Sequence, residues 1–346
     1  MNLADVLDPR DDDAIAIAVY TTDEELTRAE LRARAEALTA LLRKGGLRPG
    51  QAVGVMLPNG PDVVAALFGV WFAGGVYVPL NPRLSADELA HVVAEDRPAA
   101  IITQPDDAGR VTEVPVVLAT GAGTWDAPVP LDADAPASPA GVAAISFTSG
   151  TTGRPKPVHL LHDNVLGLID GVLGTLRGGA TSTDAPTTDM PKRAPMPNLI
   201  PTSLSLWAGI YNVIFAFRAG AAVIIMDRFD TQAFAGFVER FQLRSTVLPP
   251  AAMTMLADDE SIATLAPLKY VRSITAPLSP LQARRFRDRF GVFVLNGWGQ
   301  TEIGGEIVGW SAQDAKEFGD THLGAVGRAH ENVHLRIAED TSEILV

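Results

Sequence analysis

Apolar residues recur at helical spacing through Leu31, Ala35, Leu38 and Leu42, and the run closes at Gly45 and Gly46. Thr27 followed by Glu30 forms a capping box, so a helix is expected between that cap and the glycines. The period then changes. AVGVML at 52–57 is a short, continuous, β-branched run of the kind buried strands show, followed by an Asn59-Gly60 turn and a helix opening at Pro61. Strand and helix signals keep alternating through VYVPL, a helix capped by Ser85 with Glu88, AAIIT, VPVVLA and VAAISF. Such alternation predicts parallel strands covered by helices on both faces.

The second half repeats this grammar after a stretch rich in Gly, Thr, Pro and Asp at 177–198. It predicts a helix near 204–217, strand AAVIIM, a helix from Thr231, strands STVLPP and VRSIT, a helix from Ser279 and strand VFVLN. The tail VHLRIAEDTSEILV alternates and turns at Asp340-Thr341-Ser342, as the hairpin of a small β unit would. The expected fold is therefore α/β: two similar subdomains with mostly parallel sheets packed in layers, plus the start of a small β-barrel-like subdomain. Its expected division is 1–176 with a loop at 147–156, a flexible linker at 177–198, a second subdomain at 199–320 and a partial β unit at 321–346, the subdomains intertwining.

A 47% hydrophobic content over 346 residues supports a large core and about two domains. A formal net charge of -13 gives no basic footprint for nucleic acid or anionic membrane. With no cysteine, a disulfide, a thiolate metal site and a thioester on the protein itself are excluded, so sulfur chemistry needs an external thiol. The start, MNLADVLDPRDDDA, lacks the basic and apolar regions of a signal peptide, which leads to an expectation of a cytoplasmic protein. Residues 63–82 carry no charge, but Gly69, Gly74, Gly75, Pro79, Asn81 and Pro82 interrupt them, so no stable membrane insertion is expected.

FTSGTTGRPKPVHL at 147–160 places glycines, hydroxyls and one lysine after a predicted strand. Inward-turned N–H groups, the hydroxyls and Lys156 would suit phosphate oxygens. A Walker loop is ruled out, because Arg154 and Pro155 separate Gly153 from Lys156 and Pro157 replaces the metal-binding hydroxyl. Alone, the segment also reads as a plain surface turn. Two further strand ends carry SITAPLSP at 273–280 and NGWGQTE at 296–302, and ligands of open α/β sheets sit at such ends. Taken singly, Trp298 also reads as core and Glu302 as a helix-start carboxylate.

In this order and spacing, FTSGTTGRPKPV, APLSP and NGWGQTE resemble the adenylate-forming superfamily of acyl-CoA synthetases, luciferases and peptide-synthetase adenylation domains. The likeness extends to VPLNPRLSADEL, HLGAVGRA and SEILV. It implies that Thr148, Ser149, Gly150, Thr151, Thr152, Gly153 and Lys156 hold the β- and γ-phosphates of ATP. It implies that Thr275, Ala276, Pro277, Asn296 and Gly297 frame the adenine, with the Trp298 ring upon it where the family more often has Tyr. Thr301 would touch the α-phosphate and Glu302 would bind Mg²⁺, so Lys156, Thr301 and Glu302 form the expected catalytic set. The implied activity converts a carboxylic acid and ATP to an acyl-adenylate and pyrophosphate. The acyl group then passes to coenzyme A or to a carrier protein's pantetheine, with AMP released.

The pattern also departs from the family. The place where acyl-activating relatives often carry a gating His or aromatic residue is Leu204 or Ser205 here. No acidic residue occurs from Pro195 to Met226 to pair a substrate ammonium, which favours an amine-free acid. Leu204, Ser205, Leu206, Trp207, Ile210 and Tyr211 read equally as an acyl pocket or as a buried helix face. Family members continue past SEILV to a ribose-binding Asp, a hinge and a mobile domain with a catalytic Lys. This ending therefore raises the expectation of a truncated piece of a longer enzyme, impaired as a catalyst, or of a non-catalytic nucleotide- or acyl-binding relative. Finally, His330-Glu331-Asn332-Val333-His334 fits the H-E-x-x-H pattern. The alternation of its neighbours instead predicts surface histidines on a strand.

Overall fold

A computed structural model describes residues 2–7, 13–19, 24–127, 130–149, 155–178, 195–331 and 333–346. The chain divides into two compact units, Met1–Leu166 with Pro197–Arg228, and Gly167–Met196 with Phe229–Val346.

The first unit opens with β1 (Ile15–Val19), β2 (Glu24–Thr27), α1 (Arg28–Lys44), β3 (Ala52–Met56), α2 (Pro61–Ala73) and β4 (Val76–Pro79). It continues with α3 (Ala86–Asp96), β5 (Ala100–Thr103), β6 (Val116–Gly121), β7 (Thr124–Asp126), β8 (Val142–Ser149), β9 (Pro155–Leu161) and α4 (His162–Gly178), whose later residues fall in the second unit. Then come β10 (Asn198–Ile200), α5 (Trp207–Arg218) and β11 (Val223–Ile225). Seven strands form one sheet in the order β7-β6-β5-β3-β4-β8-β9, parallel except for the β6–β7 and β8–β9 pairs. Every residue of β3, β4 and β5 is buried, which explains why they read as unbroken apolar runs. The capping boxes at Thr27 and Ser85 both form, each side chain meeting the amide three residues on. Thr39 of α1 donates to the Gly69 carbonyl of α2 at 3.0 Å, joining the two helices.

The second sheet has the order β10-β11-β1-β2. β11 lies parallel to β1 and to β10, with Ile17 and Asn198 both opposite Val223. Val223, Ile224 and Ile225 are wholly buried there, and the 197–228 segment completes a sheet begun at residue 15.

In the second unit, α6 (Thr231–Arg240), β12 (Ser245–Leu248), α7 (Pro250–Asp258), β13 (Tyr270–Ser273), α8 (Pro280–Phe290) and β14 (Phe293–Leu295) alternate regularly. The three strands make a parallel sheet in chain order, with Arg272 opposite both Val247 and Leu295. Helix α8 starts at the Ser279–Gln282 capping box and stops at Gly291, whose φ of 67° closes its last turn. A second, antiparallel sheet follows, built from β15 (Gly297–Gln300), β16 (Gly305–Gly309) and, beyond α9 (Ala312–Phe318), β17 (Arg328–Ala329). The expected tail hairpin is present as β18 (Arg336–Ile337) and β19 (Ile344–Leu345), turning through Ser342 at φ 59°.

One half-buried acid in the first unit sets a pH dependence. Asp96 ends α3, where helix carbonyls make the surroundings negative, and its Oδ2 has no hydrogen-bond partner. Burial raises its pKa from 3.8 to about 6. The unfolded carboxyl therefore ionises first as pH rises, and this group removes stability between about pH 4 and 6, its penalty being complete above pH 6. Asp96→Asn should leave the melting midpoint near that of the parent at pH 4 and raise it by about 2–4 °C at pH 7, read by circular dichroism. An equal shift at both pH values would contradict this account.

Candidate functional site

In the first unit, Thr148 and Ser149 end β8 and Lys156 lies on β9, with Thr148 opposite Lys156 and Ser149 opposite Pro155. Gly150, Thr151, Thr152 and Gly153 lie outside the described residues. The sheet order makes β9 an edge strand, which is where Pro155 and Pro157 are tolerated despite lacking N–H donors. They hold Lys156 in extended backbone with its side chain exposed. A Walker lysine would sit at a helix start, whereas here α4 begins six residues later at His162.

Of the acyl-pocket candidates in the same unit, Leu204, Trp207 and Ile210 are almost wholly buried, as a helix face packed into the core is. Ser205 Oγ and Ser203 Oγ share a 2.7 Å hydrogen bond, and Tyr211 stacks on Phe215 with ring centroids 6.5 Å apart. Asn59, read from sequence as a turn residue, pins this segment. Its Oδ1 accepts from the Leu204 N–H at 2.7 Å, and its Nδ2 donates to the carbonyls of Thr202 and Met226 at 3.0 and 2.8 Å.

In the second unit, Thr275, Ala276 and Pro277 are exposed just past β13. Thr275 has φ 69°, a left-handed conformation that a β-branched residue rarely adopts, and the Ala276 N–H closes a tight turn onto the Ile274 carbonyl at 3.0 Å. Asn296 is buried after β14, donating from Nδ2 to the Ala325 carbonyl at 3.2 Å and accepting from the Gly297 N–H at 3.1 Å. Trp298 is half-buried in β15, opposite Val308 of β16. The pairing shifts by a bulge between Trp298 and Gly299, a device that re-aims side chains at such sites. A turn bonded from Ile303 and Gly304 back to Gln300 then carries Thr301, half-buried, and Glu302, exposed.

The H-E-x-x-H segment needs correction. The described residues His330, Glu331, Val333 and His334 lie in no helix and no strand, and His330 is buried rather than on the surface, with Nε2 2.8 Å from Glu306 Oε1. His334 is exposed ahead of β18. Asn332 lies outside the described residues, and no cluster of three or more potential metal ligands occurs among the described ones. Sequence reasoning missed Glu306 and Arg272, which form an ion pair between β16 and β13. The visible signal was a lone charge inside the apolar strand YVRSIT.

The sequence profile of the AMP-binding enzyme family matches residues 8–346, and the chain belongs to that family. It is 30% identical over 322 residues to 4-coumarate–CoA ligase-like 6 of Oryza sativa subsp. japonica, covering 87% of this chain and 52% of that protein. It is 31% identical over 310 residues to a feruloyl-CoA synthase of an Amycolatopsis species, covering 88% of this chain and 60% of that protein. The chain thus spans between half and two thirds of the length of these relatives. Its fold is that of a long-chain-fatty-acid-CoA ligase from Archaeoglobus fulgidus, with a TM-score of 0.81 at 19% identity over 100% of this chain and 72% of that one. Among the described residues no helix is long and apolar enough to cross a membrane.

Strain at Thr275 is the clearest local anomaly of the site, and such outliers persist where a loop shape is used. Thr275→Gly should raise the unfolding free energy by about 0.5–1 kcal/mol in urea denaturation, because glycine enters this region without clash. A loss of stability would contradict the strained turn.

Proposed function

We propose that this chain is the nucleotide-handling part of an ATP-dependent ligase that activates an amine-free carboxylic acid as its adenylate and passes the acyl group to coenzyme A or a carrier-protein pantetheine. The observation that carries the reading is the β15–β16 hairpin, which sets an aromatic ring, a hydroxyl and an exposed carboxylate in order within five residues, Trp298 to Glu302. Trp298 offers stacking area to a purine, and Thr275, Ala276, Pro277, Asn296 and Gly297 are the residues assigned to frame it. Lys156 on its edge strand, with Thr148, Ser149, Gly150, Thr151, Thr152 and Gly153, supplies donors for the β- and γ-phosphates, and Thr301 for the α-phosphate.

Glu302 fits a Mg²⁺ ion, because that cation takes one or two carboxylates and fills its remaining positions with water and phosphate oxygens. When bound, the ion offsets phosphate charge. In the reaction a carboxylate oxygen of the acid bonds to the α-phosphorus, the bond to the bridging oxygen breaks and pyrophosphate leaves. A thiol sulfur then bonds to the acyl carbon, its proton passes to solvent and AMP departs. The residues named here hold and orient the nucleotide, and none becomes covalently attached, in keeping with a chain free of cysteine. The absence of any acid from Pro195 to Met226 supports an amine-free substrate, and Ser205 and Tyr211 are the candidates for polar contact with it, beside the apolar Leu204, Trp207 and Ile210.

Calorimetric titration of the 346-residue chain should show ATP binding that tightens at least about tenfold when Mg²⁺ is present. Glu302→Ala should abolish that gain while leaving Mg²⁺-free binding within about twofold. Absence of nucleotide binding would overturn the reading, and an undiminished Mg²⁺ effect in the variant would overturn the role of Glu302.

A further inference from the structure

The second unit contains a charge cluster that the nucleotide chemistry does not use. Glu306 Oε1 receives the Arg272 guanidinium and lies 2.8 Å from His330 Nε2. The side chains of Arg272 and Glu306 are each 15% exposed and that of His330 is 5% exposed. Taking three ionisable groups out of water is costly, so the cluster is retained for something other than bulk stability.

Its location shows what it controls. Arg272 belongs to β13, two residues before the strained Thr275 turn, and its Nη2 also donates to the Trp310 carbonyl at 3.3 Å. Glu306 belongs to β16, opposite Gly299 of β15. The His330 N–H bonds the Ile307 carbonyl at 2.9 Å. Trp310 extends the chain of bonds, donating from its backbone to the Asn296 carbonyl at 3.1 Å and from Nε1 to the Ala325 carbonyl at 2.9 Å, the acceptor that Asn296 also uses. The strand that leads into 274–277 and the hairpin that carries 296–302 are therefore joined through one carboxylate.

The strands around it explain why a charged tie is needed. GWGQ and GEIVG have few side chains to lock their pairing, and strands this rich in glycine specify register weakly. A β-carbon on Gly297 would stand 2.8 Å from Glu306 Oε2, and one on Gly309 would stand 2.7 Å from Arg272 Nη1. The glycines thus leave room for the flat carboxylate and guanidinium, whose directional bonds select the bulged register that places Trp298.

We infer that Glu306, held by Arg272 and His330, is a positioning residue that fixes the Trp298 hairpin and the Thr275 turn relative to each other for nucleotide binding. The inference rests on the nucleotide reading above. Glu306→Ala should weaken ATP and AMP binding at least about tenfold by calorimetry, whereas Glu306→Gln, which keeps an acceptor oxygen, should stay within about threefold. Hydrogen exchange in Glu306→Ala should rise in 274–278 and 296–304 and remain at the parent level in β12 and α7. If Glu306→Ala does not fold, Arg272→Met carries the same two measurements. Unchanged affinity in a folded variant, or exchange raised evenly across the unit, would overturn the inference. If the parent binds no nucleotide, the functional reading fails, while localised exchange in the variant still decides whether the clamp exists.

Discussion

A parallel strand buried on both faces can carry polar side chains only where it stops, and this constraint places nearly all the chemistry of the chain. β3 and β5 are apolar throughout apart from Thr103, which ends β5 with its hydroxyl bonded to the Met56 carbonyl at 3.3 Å. β8 runs apolar from Val142 to Ile145 before reaching Ser146, Thr148 and Ser149. In the other unit the parallel sheet gives way at Ser273 to the Thr275 turn and at Leu295 to Asn296 and Trp298. Each unit thus brings several of its candidate residues to strand ends, Thr148 and Ser149 in one and Thr275 and Asn296 in the other, where ligands of open α/β sheets commonly sit.

Electrostatically, the chain reaches phosphate recognition by local means. Its net charge of -13 would repel a polyphosphate at long range. The proposed contacts are therefore short-range donors, the hydroxyls and amides of one short sequence segment with a single lysine on an edge strand. The buried Arg272–Glu306–His330 group belongs to a different class of interaction: it adds no charge to the ligand surface and acts on backbone placement.

Much of the fold was legible because its signals are local. The capping boxes at Thr27 and Ser85 and the helix start at Ser279 are set by residues within one helical turn of each other. The unbroken apolar runs of β3 to β5 announced double burial. What was not legible depends on partners distant in sequence or on strands without a hydrophobic signature. β11 reads as a strand, but nothing in AAVIIM says that it pairs with β1 some two hundred residues earlier. Pro155 and Pro157 disguise β9, and glycines disguise β15, which reads as a loop. The site shows the same split. Its motif residues stood out by composition and order, while Glu306 gained meaning only from Arg272 and His330, and His330 was masked by a zinc-like pattern.

In the proposed site the Trp298 hairpin and the Thr275 turn receive the adenine ring. Photolabelling of the chain with 8-azido-ATP, followed by peptide mass spectrometry, tests that placement. Labelling confined to peptides spanning 273–278 or 296–304 and suppressed by excess ATP is the predicted result. Labelling elsewhere that ATP equally suppresses would contradict the claim.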